Sequence, residues 1–186
     1  MTDSKKEQIV RDMLIAIGEN PDRQGLKDTP KRIVKMWDEI FSGYNKEKPL
    51  ITVFSNQKDG VEYSRMIIDT GYFYSHCEHH GVPFFGKYYF AYIPNKKIIG
   101  LSKVSRVVDY FSSKLQVQER LVKDIVDEIE RSLKPKGIAF VMKARHLCKE
   151  MRGVKKIDGE TMTSDIRGVF KKNVLIMNEF MSVIKL

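Results

Sequence analysis

The sequence predicts an α+β protein in which an antiparallel sheet follows a pair of N-terminal helices. Three observations predict this class. Apolar residues recur at helical spacing near the N-terminus, apolar and aromatic runs typical of strands fill residues 63–70 and 84–93, and a second helical section separates these strands from two more, at 138–148 and 160–171. The order is therefore helices, strands, helices, strands, without an internal repeat. With 186 residues, 42% of them hydrophobic, the chain can build one ordinary core with a helical appendage.

The first 48 residues are interpreted as a helical extension of a domain that spans residues 49–186. One helix is predicted over residues 5–17, where the apolar positions are Ile9, Val10, Met13, Leu14 and Ile17. A second begins at residues 28–30, where Thr29 can cap the helix and Pro30 suits its first turn. Gly43 and Pro49 end this section.

The domain itself alternates between strand and helix patterns. After the two aromatic strands, a turn at Pro94-Asn95 leads to a short strand at Ile98 and Ile99. Helices are predicted over residues 102–114 and from Val117, because apolar residues then recur every fourth position. Strands at 138–148 and 160–171 and a terminal helix at 173–186 complete the series.

The net charge of +9 favours an anionic partner, and the Lys and Arg residues are scattered rather than grouped into a nucleic-acid-binding arm. A phosphate-rich small molecule explains this excess as well as a polymer does. No secretory leader or membrane-spanning run is visible, so the protein is expected to be cytoplasmic and without a membrane partner.

All four histidines and both cysteines fall in two short windows, His76-Cys77-Glu78-His79-His80 and His146-Leu147-Cys148. The spacing of Cys77 and His80 lets one tight turn direct both side chains at one ion. In the second window, strand alternation places His146 and Cys148 on the face that carries Ile138, Phe140, Met142 and Ala144. The pattern therefore favours a metal site over buried thiols and unrelated histidines.

Two kinds of metal site remain open on the residues alone. Cys77, His80 and Cys148 make a three-ligand set with one position free for water, which is the catalytic pattern. His79 or His146 could instead supply a fourth ligand, which would make the site structural.

Two helix starts carry further polar residues. Ser102, Lys103 and Arg106 open one helix, where free amide groups and the helix dipole favour an anion. Gln118-Glu119-Arg120 opens the next helix, and Arg152 follows Cys148 by four residues. A solvated basic surface explains Lys103 and Arg106 equally well, and a favourable first-turn charge explains Glu119.

These motifs together resemble the type I GTP cyclohydrolase family. The matching strings are T-P-K-R at 29–32, C-E-H-H at 77–80, G-L-S-K at 100–103, Q-V-Q-E-R at 116–120, H-L-C at 146–148, R-G-V at 152–154, and T-S with G-V-F between residues 163 and 170. The resemblance implies conversion of GTP and water to formate and 7,8-dihydroneopterin triphosphate, the first step of tetrahydrofolate and pterin biosynthesis.

The resemblance also implies roles for single residues. Cys77, His80 and Cys148 would bind Zn²⁺ in an open site, with His146 as the general acid at purine nitrogen 7 and His79 as a second acid/base. Ser102 matches the residue of the sugar rearrangement. Substrate binding would rest on Glu119, with Gln118, at the guanine, and on the cations Lys103, Arg106, Arg152 and Arg32 at the triphosphate, Arg32 reaching in from a neighbouring subunit.

The family fold is the tunnelling fold, an antiparallel sheet with helices on one face that closes into a ring of subunits. The resemblance therefore implies a homodecamer of two pentamers, with active sites at subunit interfaces and no nucleic-acid partner.

Two alternatives compete with this assignment. The first is a zinc-stabilised nucleic-acid-binding module with a closed four-ligand site, for which Lys87 and the aromatic residues Tyr88, Tyr89 and Tyr92 would form an exposed sheet surface. The second is a relative of the same fold, such as the nitrile reductase of deazaguanine metabolism, which needs a free nucleophilic cysteine and a nicotinamide. Zinc bound by both cysteines would argue against that relative.

Overall fold

A computed structural model of the chain describes residues 1–57 and 62–184. The chain forms two compact units, Met1–Lys46 and Glu47–Leu186. Among the described helices, none combines the length and the apolar content that crossing a bilayer requires.

The first unit contains two packed helices, α1 (Asp3–Ala16) and α2 (Thr29–Ile40), and a 3₁₀ turn at Ser42–Tyr44. Both predicted helices are confirmed, and their buried apolar positions are Val10, Leu14 and Val34. The predicted cap was wrong by one position, because Thr29 is already helical and Asp28 stands at the N-cap without a side-chain capping bond.

The second unit holds the sheet and the remaining described helices. Its strands are β1 (Val53–Ser55), β2 (Ile67–Cys77), β3 (Pro83–Ile93), β4 (Lys97–Ile99), β5 (Leu115–Gln116), β6 (Gly137–His146) and β7 (Glu160–Gly168). Its helices are α3 (Leu101–Ser112), α4 (Gln118–Leu133), α5 (Leu147–Glu150), α6 (Val169–Lys172) and α7 (Val174–Ile184). The α+β class is therefore confirmed.

Five of the strands form one sheet in the order β5-β2-β3-β6-β7. The pairs β2–β3, β3–β6 and β6–β7 are antiparallel, as predicted, but β5 pairs with β2 in parallel, so the sheet is mixed. The short strand β4 pairs instead with β1, a strand that the sequence pattern did not reveal. Three residues are too few for a period of two to stand out.

Both faces of the five-stranded sheet bury apolar side chains. One face packs with α3 and α4 around residues that include Phe84, Phe90 and Phe140. The other face packs with α6 and α7 through Phe170 and Phe180. The expectation of helices on one face only was therefore wrong in part, because the last two helices cover part of the opposite face.

Three predicted boundaries shift. The first long strand was predicted at residues 63–70 but runs from Ile67 to Cys77, because it pairs residue for residue with the aromatic strand β3. The strand predicted at 138–148 ends at His146, where α5 begins, and the one predicted at 160–171 ends at Gly168. The terminal helix predicted at 173–186 is α7, and its last two residues lie outside the described part.

Candidate metal centre and active site

The turn between β2 and β3 carries Cys77 and His80. The Gly81 N–H donates to the Cys77 carbonyl at 2.8 Å, and the Cys77 N–H donates to the Val82 carbonyl at 2.9 Å. Gly81 has φ +67°, which glycine adopts without a Cβ clash, so the chain can fold back within four residues. As a result His80 Nδ1 lies 3.8 Å from Cys77 Sγ.

Cys148 reaches this turn from a segment far away in the sequence. The antiparallel pairing of β3 with β6 sets His146 opposite Phe84, next to the start of the turn, and Cys148 follows on α5. The ligand atoms of Cys77, His80 and Cys148 all lie within 4.8 Å of one another. Neighbouring ligands of a tetrahedral zinc ion are separated by about 3.6–3.8 Å, so only small side-chain movements separate this set from a coordinating one.

The local chemistry of the two thiols suits a cation. Burial raises the pKa of the Cys148 thiol, and the adjacent Cys77 raises it further. A divalent cation between the sulfur atoms would favour the thiolate form that a metal ligand needs. The donor set of two sulfurs and one imidazole nitrogen fits Zn²⁺, which prefers such ligands.

His79 lies beside the metal-binding group without belonging to it. Its Nδ1 atom is 3.8 Å from Cys77 Sγ, but the group of mutually close ligand atoms in the described residues contains only Cys77, His80 and Cys148. The His79 side chain is 64% exposed, and its Nε2 atom lies 3.9 Å from a carboxylate oxygen of Glu78. This position leaves its imidazole open to a ligand that arrives from solvent.

His146 is held in place by two contacts. Its ring stacks on Phe84, with the centroids 4.6 Å apart and the planes 3° from parallel, and its Nε2 atom is 2.7 Å from Gln118 Oε1. Burial lowers the pKa of His146, while the charge of Glu119 raises it and that of Lys149 lowers it further. The contact with Gln118, the first residue of α4, shows that the start of this helix faces the histidine.

Gln118 supports His146 with a fully engaged side-chain amide. Its Nε2 atom donates to the carbonyls of Met142 and Thr161, at 3.1 Å each, so the oxygen atom is left to accept from His146. The His146 proton therefore lies on Nε2 in the neutral ring, and Nδ1 remains available to a substrate. The sequence predicted Gln118 as a substrate ligand, and that role stays a prediction; within this chain its amide bonds to protein groups and supports His146.

Replacing Gln118 with alanine is expected to destabilise the protein. The side chain is 2% exposed, and its loss leaves two strand carbonyls and one imidazole N–H without their partner. We expect a loss of about 2–3 kcal/mol in the free energy of unfolding. Thermal unfolding measures it, with exposed Gln8→Ala as the control that stays within about 0.5 kcal/mol of wild type. An equally stable Gln118→Ala variant would contradict these three hydrogen bonds of Gln118.

The other predicted site residues lie on two helix starts and one loop. Ser102, Lys103 and Arg106 occupy the first two turns of α3, where Lys103 is half-buried and the other two are exposed. Glu119 is exposed in the first turn of α4. Arg152 is exposed just after α5, and its charge acts on Cys148.

Arg32 belongs to the first unit. It lies on α2 and forms an exposed ion pair with Asp28 at 3.7 Å. Its side chain is 74% exposed, so it is available to another molecule.

One group near the metal residues was missed by sequence reasoning. Glu78, in the turn itself, forms an ion pair with Arg120 of α4, and the Arg120 Nε–H donates to Gln116 Oε1 at 2.9 Å. Opposite charges that lie 42 residues apart give no signal of pairing in a single sequence. The parallel pairing of β5 with β2 brings the two segments together.

The tyrosines of β3 do not form the exposed aromatic surface that the nucleic-acid-binding alternative predicted for them. Tyr88 and Tyr92 are each 1% exposed and belong to the core against α3 and α4, and Tyr89 is 9% exposed. They are buried because β3 lies in the middle of the sheet with both faces covered.

Comparison with known proteins shows that the chain is similar to one group of enzymes. The family model described as GTP cyclohydrolase I matches residues 6–185. The chain is 46% identical to GTP cyclohydrolase 1 of Clostridium kluyveri, over all of both chains. It is 46% identical to that of Aquifex aeolicus, over 97% of this chain and 96% of the other. It is 42% identical to that of Bartonella bacilliformis, over 95% of this chain and 86% of the other.

Among solved structures, the archaeosine synthase QueF-Like in its apo form aligns with a TM-score of 0.48 at 14% identity. The alignment covers 55% of this chain and 93% of that one.

Proposed function

This chain belongs to the GTP cyclohydrolase I family and is an enzyme of that type, and we propose that it converts GTP and water to formate and 7,8-dihydroneopterin triphosphate with Zn²⁺ as its metal. The observation that carries the proposal is the convergence of Cys77, His80 and Cys148 within 4.8 Å. Three protein ligands leave one coordination position for solvent, which is the pattern of catalytic zinc.

The metal would contribute Lewis acidity, which activates water for attack on carbon 8 of the purine. His146 would bind that ring at nitrogen 7 through its Nδ1 atom, because Nε2 is engaged with Gln118. In its doubly protonated form, His146 would keep the Nε2 proton hydrogen-bonded to Gln118 and give the Nδ1 proton to nitrogen 7, which would weaken the bond between nitrogen 7 and carbon 8 and leave His146 neutral. His79, with its exposed imidazole, would serve as a second acid/base, and Ser102 would assist the later sugar rearrangement.

Recognition of the nucleotide would divide between one carboxylate and several cations. The Glu119 carboxylate can accept hydrogen bonds from the ring N–H and the exocyclic amine of guanine, a pair of donors that adenine lacks. Lys103 and Arg106, at the start of α3, and Arg152 would bind the triphosphate, and the exposed Arg32 would add a cation from a neighbouring subunit.

Replacing Glu119 with alanine is expected to weaken guanine recognition while zinc stays bound. Glu119 is outside the metal-ligand group, and its loss leaves two donors of the base without an acceptor. We expect kcat/KM for GTP to fall by about 10²–10³-fold, carried mainly by KM. For inosine triphosphate, which lacks the exocyclic amine, the same substitution should reduce kcat/KM by a smaller factor than it does for GTP. An unchanged KM in Glu119→Ala would remove Glu119 from the base-binding role.

We further propose a ring-shaped homo-oligomer, a decamer of two pentamers, with residues 49–186 as its catalytic unit. The edge of β2 supports it, because β5 covers only His76 and Cys77, and no described strand covers Ile67–Ser75 on that side. The outer edge of β7 lacks a partner in the described residues as well. Long open edges are normally covered, and pairing of unlike edges in successive copies closes into a ring.

The exposure of the site supports a shared active site. Within residues 49–186, six predicted site residues are exposed in the single chain: His79, His80, Ser102, Arg106, Glu119 and Arg152. A neighbouring copy would cover them and exclude water from the reaction. The particle mass from light scattering tests this, and a monomer that is active at assay concentration would contradict it. The cytoplasmic location stays a prediction.

One assay tests the reaction. Zinc-loaded protein is incubated with GTP, formate is quantified, and the fluorescence of the oxidised pterin is followed, with ATP and metal-stripped protein as controls. Formate and pterin in equal amounts from GTP alone are the expected result. Salt-sensitive binding to nucleic acid together with no turnover of GTP would favour the alternative module instead.

A further inference from the structure

Glu78, which stands between the metal ligands Cys77 and His80, connects their turn to the segment that opens α4. Its carboxylate pairs with the Arg120 guanidinium, and its N–H donates to the Gln116 carbonyl at 3.0 Å. Arg120 also donates to Gln116 Oε1 at 2.9 Å and to the Leu115 carbonyl at 3.3 Å. One guanidinium therefore joins the ligand turn to both residues of β5.

Arg120 lies in the first turn of α4, directly after two predicted site residues. Its two predecessors, Gln118 and Glu119, support His146 and face the same site. The first turn of α4 is thus in contact with the metal-ligand turn on one side and with His146 on the other. A shift of the ligand turn relative to α4 would alter the distance between the metal and the groups that bind the purine.

The bridge between Glu78 and Arg120 depends on opposite charges as well as on hydrogen-bond geometry. The Arg120 guanidinium donates to the Glu78 carboxylate and forms an ion pair with it. The Arg120 and Glu78 side chains are 44% and 33% exposed, so the pair contributes little to global stability. Its effect is instead expected on the ligand turn, since groups that orient metal ligands commonly change metal affinity by about 10–100-fold.

We propose that Arg120 is a positioning residue of the metal centre, which holds the Cys77–His80 turn through Glu78 and fixes it relative to the first turn of α4. This inference rests on the proposed metal binding. It assigns a role to the last residue of the Gln118-Glu119-Arg120 segment.

The test compares Arg120→Met with Arg131→Met, a matched change farther along the same helix in an ion pair with Glu128. Zinc affinity is measured without GTP, by competition with a chromophoric chelator. We expect Arg120→Met to bind Zn²⁺ at least about tenfold more weakly than wild type, with Arg131→Met unchanged. Both variants should melt within about 3 °C of wild type.

A charge exchange gives a second, independent readout. Glu78→Arg alone should weaken zinc binding as Arg120→Met does, and Glu78→Arg combined with Arg120→Glu should recover part of the affinity. The double variant separates a specific bridge from general damage to the turn.

The outcomes are distinguishable. Wild-type affinity in Arg120→Met, or no recovery in the charge-exchanged protein, overturns the positioning role and leaves the proposed hydrolase intact. An equal loss in Arg120→Met and Arg131→Met overturns it as well, because the effect would then belong to the helix as a whole. Failure of the wild-type protein to bind Zn²⁺ at all would instead refute the proposed function.

Discussion

Replacing Cys148 with alanine is expected to abolish metal binding and GTP hydrolysis together. Among the described residues, Cys148 is the one candidate metal ligand that follows β6, and the other two, Cys77 and His80, come from a single turn. Two protein ligands bind zinc far more weakly than three. When the ion is lost, its Lewis-acid stabilisation of the transition state, worth several kcal/mol, is lost as well. We expect the rate of formate release to fall by roughly 10³-fold or more.

The experiment measures bound zinc and formate release on the same preparation. Met151→Ala is the matched control, because Met151 follows Cys148 by three residues, is 62% exposed and belongs to no predicted site. It should retain stoichiometric zinc and full activity. Stripping and reloading the metal should restore the wild-type enzyme and leave Cys148→Ala inactive. Full activity in Cys148→Ala would contradict the assignment of the metal centre.

The convergence of the candidate metal ligands could be predicted because their signal is local. Two windows of the sequence contain all its histidines and cysteines, and the spacing of Cys77 and His80 already implies a turn that can direct both at one ion. The long helices were predictable for a similar reason. The apolar residues of α4 recur at the helical period, and the structure buries them against the sheet.

What could not be predicted depends on pairing between distant segments. The extension of β2 to His76 is dictated by β3, whose partner residues run from Tyr92 down to Pro83, and Cys77 pairs with Gln116 of β5. Its last residues, Ser75, His76 and Cys77, have no strand pattern of their own. The register of one strand on another thus decides a boundary that local propensity leaves undetermined.

The residues that position the site could not be predicted from the sequence for the same reason. Gln118 was identified from its neighbours in a motif, but its role follows from its burial between β6 and β7, where two carbonyls determine which way its amide points. Arg120 likewise acquires its role only when β5 pairs beside the ligand turn. Residues that could bind an ion directly can be identified in a sequence by their type. Residues that orient those ligands can be identified only from their contacts in the structure.

Replacing His146 with alanine is expected to separate metal binding from catalysis. His146 Nε2 donates to Gln118 Oε1, and the ring stacks on Phe84, so the imidazole is oriented by protein groups rather than by the ion. The variant should therefore retain stoichiometric zinc. It should lose about 10²–10⁴-fold in kcat, the usual contribution of a positioned general acid. The unsatisfied Gln118 oxygen should also lower the melting temperature modestly.

The control is His76→Ala, which removes another half-buried imidazole from the strand that leads to Cys77. Strand alternation directs His76 to the face opposite Cys77, so its loss should leave both zinc content and kcat within a few-fold of wild type. The decisive comparison is zinc stoichiometry in the two variants. Loss of zinc in His146→Ala alone would make His146 a fourth ligand. The centre would then be closed and structural, because no coordination position would remain for water.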